Sequence, residues 1–265
     1  MTELKLKILN KARDTAAAST SGEKLVTLVY TAPYQEGDMV MLELNQKGIY
    51  CEIQLDDAMK PAVLYIRSNT LYFEIPFGQR REAISPKAFS GSSHVLSARV
   101  LDDWELDAVR NLALNPYDGF LGPEVFPHAD ANVETRNEAV FAARNAIDGI
   151  YANNAHGKFP YGSWGINQRS DAEFQLDFGT EVEVCAVRLT LRADFPHDTV
   201  WECATIVFSD GSSEVLELKK TAQPQLFSIV SRVITSLTLK ELKKADEASP
   251  FPSLTQVEVI GSYKV

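Results

Sequence analysis

Between Ile49 and Leu55 the chain alternates. Ile49, Cys51, Ile53 and Leu55 fall on one side, and Tyr50, Glu52 and Gln54 on the other. A period of two sends successive side chains to opposite faces, so this run reads as a half-buried antiparallel strand. Similar apolar runs stand at residues 25–30, 39–44, 63–67, 71–75 and 94–101, with Gly, Pro, Asn and Asp between them. They resume at 172–177, 184–192, 204–208, 215–218, 227–229, 236–239 and 256–260. Short strands at this spacing build sandwiches and jelly rolls. The expected fold is all-β: two β-sandwich (jelly-roll) domains with short helices.

Three segments read as helical. Leu4, Ile8, Leu9, Ala12 and Ala16 share one face of a helix over 3–17. Residues 103–115 follow an N-cap at Asp102 or Asp103 and stop before Pro116, because the residue preceding a proline is pushed out of the helical region. Thr135 and Glu138 have the spacing of a capping box, and the helix they open runs to Gly149. The turn-rich stretch from Asn115 to Pro123 places a domain boundary between 115 and 116, giving domains 1–115 and 116–265. Asp210-Gly211, flanked by Ser209 and Ser212, is a hairpin turn.

The 45% hydrophobic content of the 265 residues is enough for a real core. With 26 Lys and Arg against 36 Asp and Glu, the net charge is -10. Binding to a nucleic-acid backbone or to an anionic membrane needs the opposite sign. No apolar run approaches the ~20 residues of a membrane span. Cys51, Cys185 and Cys203 are an odd count without C-x-x-C spacing, which argues against a disulfide framework and a thiolate zinc site. The N-terminus scatters lysines through its apolar residues, unlike a secretory signal. Together these point to the cytoplasm.

Five segments of the C-terminal half occur in a telling order: Asn145-Ala146-Ile147-Asp148-Gly149, Ser163-Trp164-Gly165, Phe174 to Gly179, Val187 to Arg192, and Leu254 to Gly261. With them this half resembles the discoidin family, also called coagulation factor V/VIII C-type domains. That galactose-binding-like family includes many carbohydrate-binding modules. The resemblance implies an eight-stranded jelly roll with a ligand site in loops at one end. It also implies a structural calcium beside the Asp148 turn, with Asp148 as the acidic ligand and Asn153 in support. The family often has a glutamate in the closing strand where this chain has Gln256, which removes one anionic oxygen ligand. The N-terminal half has no such motif string.

The chemistry-bearing residues cluster in loops of the same half. His128, His156 and His197 lie in Pro-, Gly- or Asn-rich segments, and Trp164 and Trp201 fall in or beside them. Sugar recognition uses this mixture: an aromatic face against the C–H side of the ring, and planar donors and acceptors against its hydroxyls. Alternation puts Arg188, Thr190 and Arg192 on one face of their strand, so Arg192 stands at its end beside Asp194 and His197. An ion pair between Arg192 and Asp194 that merely holds the loop fits equally. Trp164 fits either a stacking face or the core, and the resemblance favours the core.

Three imidazoles and an aspartate would suit a transition metal, but no H-x-H or H-E-x-x-H pair places two of them on one element. Gly162-Ser163-Trp164-Gly165 lacks the spacing of a nucleophile elbow, and Asp56-Asp57 reads as a solvated turn. Phe251, within Ser-Pro-Phe-Pro, packs on the sandwich end.

The first functional reading is a non-catalytic carbohydrate-binding protein, its ligand held in loops at one end of the C-terminal roll. Two others stay open. One is a hydrolase, glycan-directed or metal-dependent, with a site at the domain interface. The other is a protein-interaction or assembly module acting as an oligomer.

Overall fold

A computed structural model describes residues 2–13, 16–195 and 199–264. The chain is all-β. The N-terminal half contributes β1 (Glu3–Leu9), β2 (Ala16–Glu23), β3 (Leu25–Tyr30), β4 (Met39–Leu44), β5 (Ile49–Gln54), β6 (Ala62–Ile66), β7 (Thr70–Glu74) and β8 (His94–Val100). One sheet has the order β2-β1-β4-β7. The other runs β6-β5-β8-β3, and β10 (Val125–Phe126) adds to its β6 edge. Leu6, Leu42 and Phe73 from the first sheet meet Ile53, Leu64 and Leu96 from the second in one core. This is a β-sandwich of antiparallel pairs.

The C-terminal half rolls one hydrogen-bonded sheet around its own core. Its strands are β12 (Trp164–Gly165), β13 (Phe174–Leu191), β14 (Trp201–Phe208), β15 (Ser213–Glu217), β16 (Gln225–Lys244) and β17 (Ser253–Tyr263). Their order is β12-β17-β13-β16-β14-β15, with β11 (His128–Ala131) added to β13 and β9 (Arg110–Asn111) to β17. The two long strands do the rolling. The first part of β13 pairs with β11 and β16, and after a break at Gly179 the second part pairs with β16 and β17. Gly179 has φ +69, and a Cβ there would stand 2.2 Å from the Phe126 ring, so only glycine fits. Val187, Leu189, Ile206, Leu237 and Val257 are among the side chains that fill the roll.

The two cores are laced together. Leu101, Leu106, Leu112 and Ala113 pack into the C-terminal core, whereas Tyr117, Phe120 and Val125, further along, pack into the N-terminal one. Tyr50 of β5 turns away from its own sandwich and lies 4.2 Å, centroid to centroid, from Tyr263 of β17.

All three helical readings are corrected. Residues 3–9 are strand, because Leu4, Leu6 and Ile8 are buried in strict alternation; the helical count passed over Leu6. The 103–115 helix is a single turn, α1 (Asp103–Leu106), in which the Asp102 N–H donates to Glu105 Oε2 at 2.9 Å. Beyond it, Asn111 Oδ1 accepts the N–H of Val259 at 3.1 Å and draws the chain into β9. The third helix is three separate 3-10 turns, Thr135–Asn137, Ala139–Phe141 and Ala143–Ile147. Arg136 and Asn137 have φ of 53° and 52°, which no right-handed helix accommodates. The capping box does not form, since Thr135 Oγ1 accepts from the Asn167 N–H and Glu138 pairs with Arg136.

If β1 is a core strand, Leu6→Ala, which empties a fully buried site, lowers unfolding free energy by about 2–5 kcal/mol. Lys5→Ala, one residue away and exposed, stays within about 0.5 kcal/mol. Urea denaturation followed by tryptophan fluorescence measures both, and equal effects would contradict the strand assignment.

Candidate functional site

At the end of β13 the chain leaves the sheet under tight control. The Arg192 N–H donates to Ser253 O at 3.1 Å, and the Ala193 N–H to Asn153 O at 2.9 Å. Asn153 Nδ2 donates to Leu191 O and to Ala222 O, clipping three segments together. This holds Arg192, Asp194 and His156 at one place. Arg192 and Asp194 are buried, and the Arg192 Nε pairs with Asp194 Oδ1. The other carboxylate oxygen accepts from His156 Nδ1. A carboxylate only accepts, so Nδ1 carries the proton. The His156 side chain is 44% exposed. Arg192 Nη2 also donates to Phe251 O at 3.1 Å. Burial lowers the pKa of the Arg192 guanidinium while Asp194 raises it; the group stays charged.

Beside this cluster is an open cavity of about 140 Å³. Its walls include His156, Arg192, Phe141, Arg136, Asn167 and Phe251. The Arg136 guanidinium lies 5.4 Å over the Phe141 ring. Phe195, next to Asp194 in the chain, is 90% exposed. Arg136, Phe141 and Asn167, on the cavity wall, are additions to the residues read from sequence. None of them carried a binding signal in the sequence.

The remaining candidates lie elsewhere. Trp164 is 0% exposed and donates Nε1–H to Val133 O at 2.9 Å. Trp201 is buried 6.2 Å from it, centroid to centroid. Both are core residues with no face for a ligand, which corrects their place among the ligand-binding candidates. His128 lies in a different cavity, between the halves, with Arg80, Phe120, Glu134 and Arg144. Its Nδ1 is 2.7 Å from Asp118 Oδ1. The hydrogen bond to buried Asp118 raises the His128 pKa above its ordinary value. His197 lies outside the described residues.

The described donors do not assemble a metal site. His128 and His156 face separate cavities. Among the described residues no three His, Cys, Asp or Glu side chains converge on one point. Asn153, expected near a calcium, holds the end of β13 through its amide N–H groups on Leu191 and Ala222, which says nothing against its Oδ1 as a ligand. Burial pushes the Asp148 carboxyl up to about 7, against the opposing pull of Arg144. Its Oδ1 already accepts from the Ile150 N–H and from Gln256 Nε2, each at 2.8 Å. The residues present do not fit calcium.

No family model matches this chain, and no curated protein matches it. Solved structures do. A Streptococcus pneumoniae fucose-binding module, SpX-3, aligns over 58% of this chain and 99% of its own, at 14% identity and a TM-score of 0.42. The lectin domain of lectinolysin complexed with Lewis B antigen aligns over 58% and 97%, at 18% identity and a TM-score of 0.43. The family 32 carbohydrate-binding module of NanJ from C. perfringens, in complex with galactose, aligns over 50% and 91%, at 15% identity and a TM-score of 0.39. These neighbours are carbohydrate-binding modules and a lectin domain, and they cover about half of the chain.

The His128–Asp118 pair makes stability depend on pH. A folded-state pKa above the unfolded value of about 6.5 stabilises fully below that value. The contribution fades as pH rises through the raised folded pKa. Thermal midpoints of the wild type and His128→Gln, compared from mildly acidic to mildly alkaline buffer, should therefore differ most in acid and converge in base. A constant difference would rule out this linkage.

Proposed function

We propose that this chain is a non-catalytic carbohydrate-binding protein whose ligand sits in the cavity beside His156, Arg192 and Asp194. The observation that carries the reading is the buried Asp194 carboxylate gripped by Arg192 and His156. It fixes a guanidinium and an imidazole on the wall of an open, ring-sized cavity. Sugar hydroxyls both donate and accept, and fixed planar groups meet them without ordering cost. Phe141 and Phe251 supply apolar surface for the C–H face of a pyranose, and exposed Phe195 stands at the loop.

The chemistry favours binding over turnover. Glycoside hydrolysis needs two carboxyl groups across the bond, and among the described residues no carboxylate side chain lines this cavity. The interdomain cavity holds the His128–Asp118 pair with the Asp130 and Glu134 carboxylates, and no Ser, Thr or Cys that could act as a nucleophile lines it among the described residues.

Calorimetric titration against a panel of mono- and disaccharides should find a sugar that binds saturably. Arg192→Ala should weaken it at least tenfold, about 1.4 kcal/mol. Because Arg192 is buried against Asp194, two milder variants guard the test. His156→Gln should weaken binding and Phe195→Ala should reduce it, both with the thermal midpoint nearly kept. Absence of binding across the panel overturns the proposal. So does binding that survives all three substitutions. Turnover of chromogenic glycosides, lost with His156→Gln, would replace binding by catalysis.

A further inference from the structure

We infer that the turn Asn145–Gly149 is locked without a divalent cation, by the side-chain amide of Gln256 and by the ammonium of Lys60 from the other half of the chain. The Gly149 N–H donates to Gln256 Oε1 at 2.8 Å. A backbone N–H can only donate, so this contact decides which end of the amide carries oxygen. The nitrogen end must therefore face the turn. Gln256 Nε2 lies 2.7 Å from Asn145 O, 2.8 Å from Asp148 Oδ1 and 2.6 Å from Thr255 O. The next carbonyl of the turn, Gly149 O, accepts from Lys60 Nζ at 2.5 Å.

Calcium asks for roughly six to eight oxygen ligands at about 2.3–2.6 Å. Here the oxygens that a cation would gather already face N–H donors, and the amide nitrogen projects among them. A glutamate in place of Gln256 would bring an oxygen to that point; the glutamine brings hydrogens. Positive charge is also supplied. Arg144 is buried beneath the turn, donating to Asp118 O, Pro116 O and Asn145 Oδ1. Lys60 adds a second cation, and its ammonium stacks 5.7 Å from the Tyr151 ring centroid.

The lock also joins the halves. Lys60 follows β5 in the N-terminal sandwich, and its backbone carbonyl accepts the Tyr117 hydroxyl at 2.8 Å. A Cβ on Gly149 would approach Leu114 Cδ1 to 2.7 Å and Lys60 Nζ to 3.3 Å, so the turn is bare where the other half closes on it. Docking of the N-terminal sandwich thus supplies part of the stabilisation that a bound ion would otherwise give.

The test uses the full chain, stripped of metal and titrated with calcium chloride. The wild type should show no saturable heat, and its thermal midpoint should be the same in EDTA and in calcium. Gln256→Glu should acquire a calcium-dependent rise of the midpoint. Lys60→Met should lower the midpoint in EDTA, with no recovery in calcium. A wild type that purifies with one calcium per chain, or whose midpoint rises with calcium, overturns the inference. A calcium-insensitive Gln256→Glu overturns the role of the amide, and an unchanged midpoint for Lys60→Met that of the ammonium. Should Gln256→Glu fail to fold, the wild-type titration and Lys60→Met still decide.

Discussion

A carboxylate taken out of water is costly, by several kcal/mol, unless it is paired and hydrogen-bonded. Asp194 is such a group, and the rim of the C-terminal roll is organised around it. Arg192 comes from the end of β13, His156 from the loop after the Gly149 turn, and the carbonyl of Phe251, which accepts from Arg192, from the segment before β17. Three chain segments are therefore brought to one point by the need to satisfy a single buried charge. Breaking such a pair by removing one partner costs about 3–5 kcal/mol, far more than an exposed pair would. The same geometry sets the tautomer of His156 and the direction of the Arg192 guanidinium. Stability and the proposed ligand recognition thus draw on one interaction.

The second constraint is topological. The segment from β8 to β11 visits the C-terminal core, returns to the N-terminal one, and leaves again. β9 pairs with β17 while β10 pairs with β6, so each half completes a sheet of the other. Tyr263 near the end of the chain donates to Val63 O at 3.4 Å, and Phe126 fills the space that Gly179 leaves. Contacts of this kind leave the halves little freedom to swing, because their interface is continuous with both cores. The candidate cavity, built on the C-terminal half, inherits that rigidity.

How much of this could be read from residues alone follows from the same physics. Strands buried on one face announce themselves: β3 and β4 span the residues that alternation and turn signals marked, 25–30 and 39–44. Helical readings failed where a few apolar residues matched two periods. Leu4 and Ile8 suit a helix as well as a strand, and only Leu6 between them decides. Thr135 and Glu138 had capping-box spacing, but nothing in a single sequence tells that Arg136 and Asn137 adopt left-handed backbone. Arg192 and Asp194 were legible because they follow the end of a strand, and His156 because it lies in an Asn- and Gly-rich loop. For Trp164 the family resemblance favoured the core; Trp201 was not separable from a ligand-binding tryptophan, since a position beside a loop does not say whether a ring points in or out. That Gln256 departs from the family's glutamate was visible in the sequence; the direction of its amide needed the Gly149 N–H beside it.

One feature of β13 and β17 ties the turn and the cavity together. Arg188, Thr190 and Arg192 step along β13 two residues apart, opposite Glu258 and Gln256 of β17. Arg188 Nη1 meets Glu258 Oε1 at 3.1 Å, Gln256 holds the Gly149 turn, and Arg192 holds Asp194. This is a polar stripe at a sheet position where apolar side chains would pack with less desolvation cost. Val187, Leu189 and Leu191 alternate with it and fill the core. A slip of one residue between the strands would drive the arginines inward and expose the core residues, so the stripe and the apolar row enforce one register between them. That register sets Gln256 against the turn and Arg192 against Asp194 in a single act of pairing. The loop that carries His156 is therefore positioned at two points: at its start by the turn at Gly149, and at His156 by the carboxylate of Asp194.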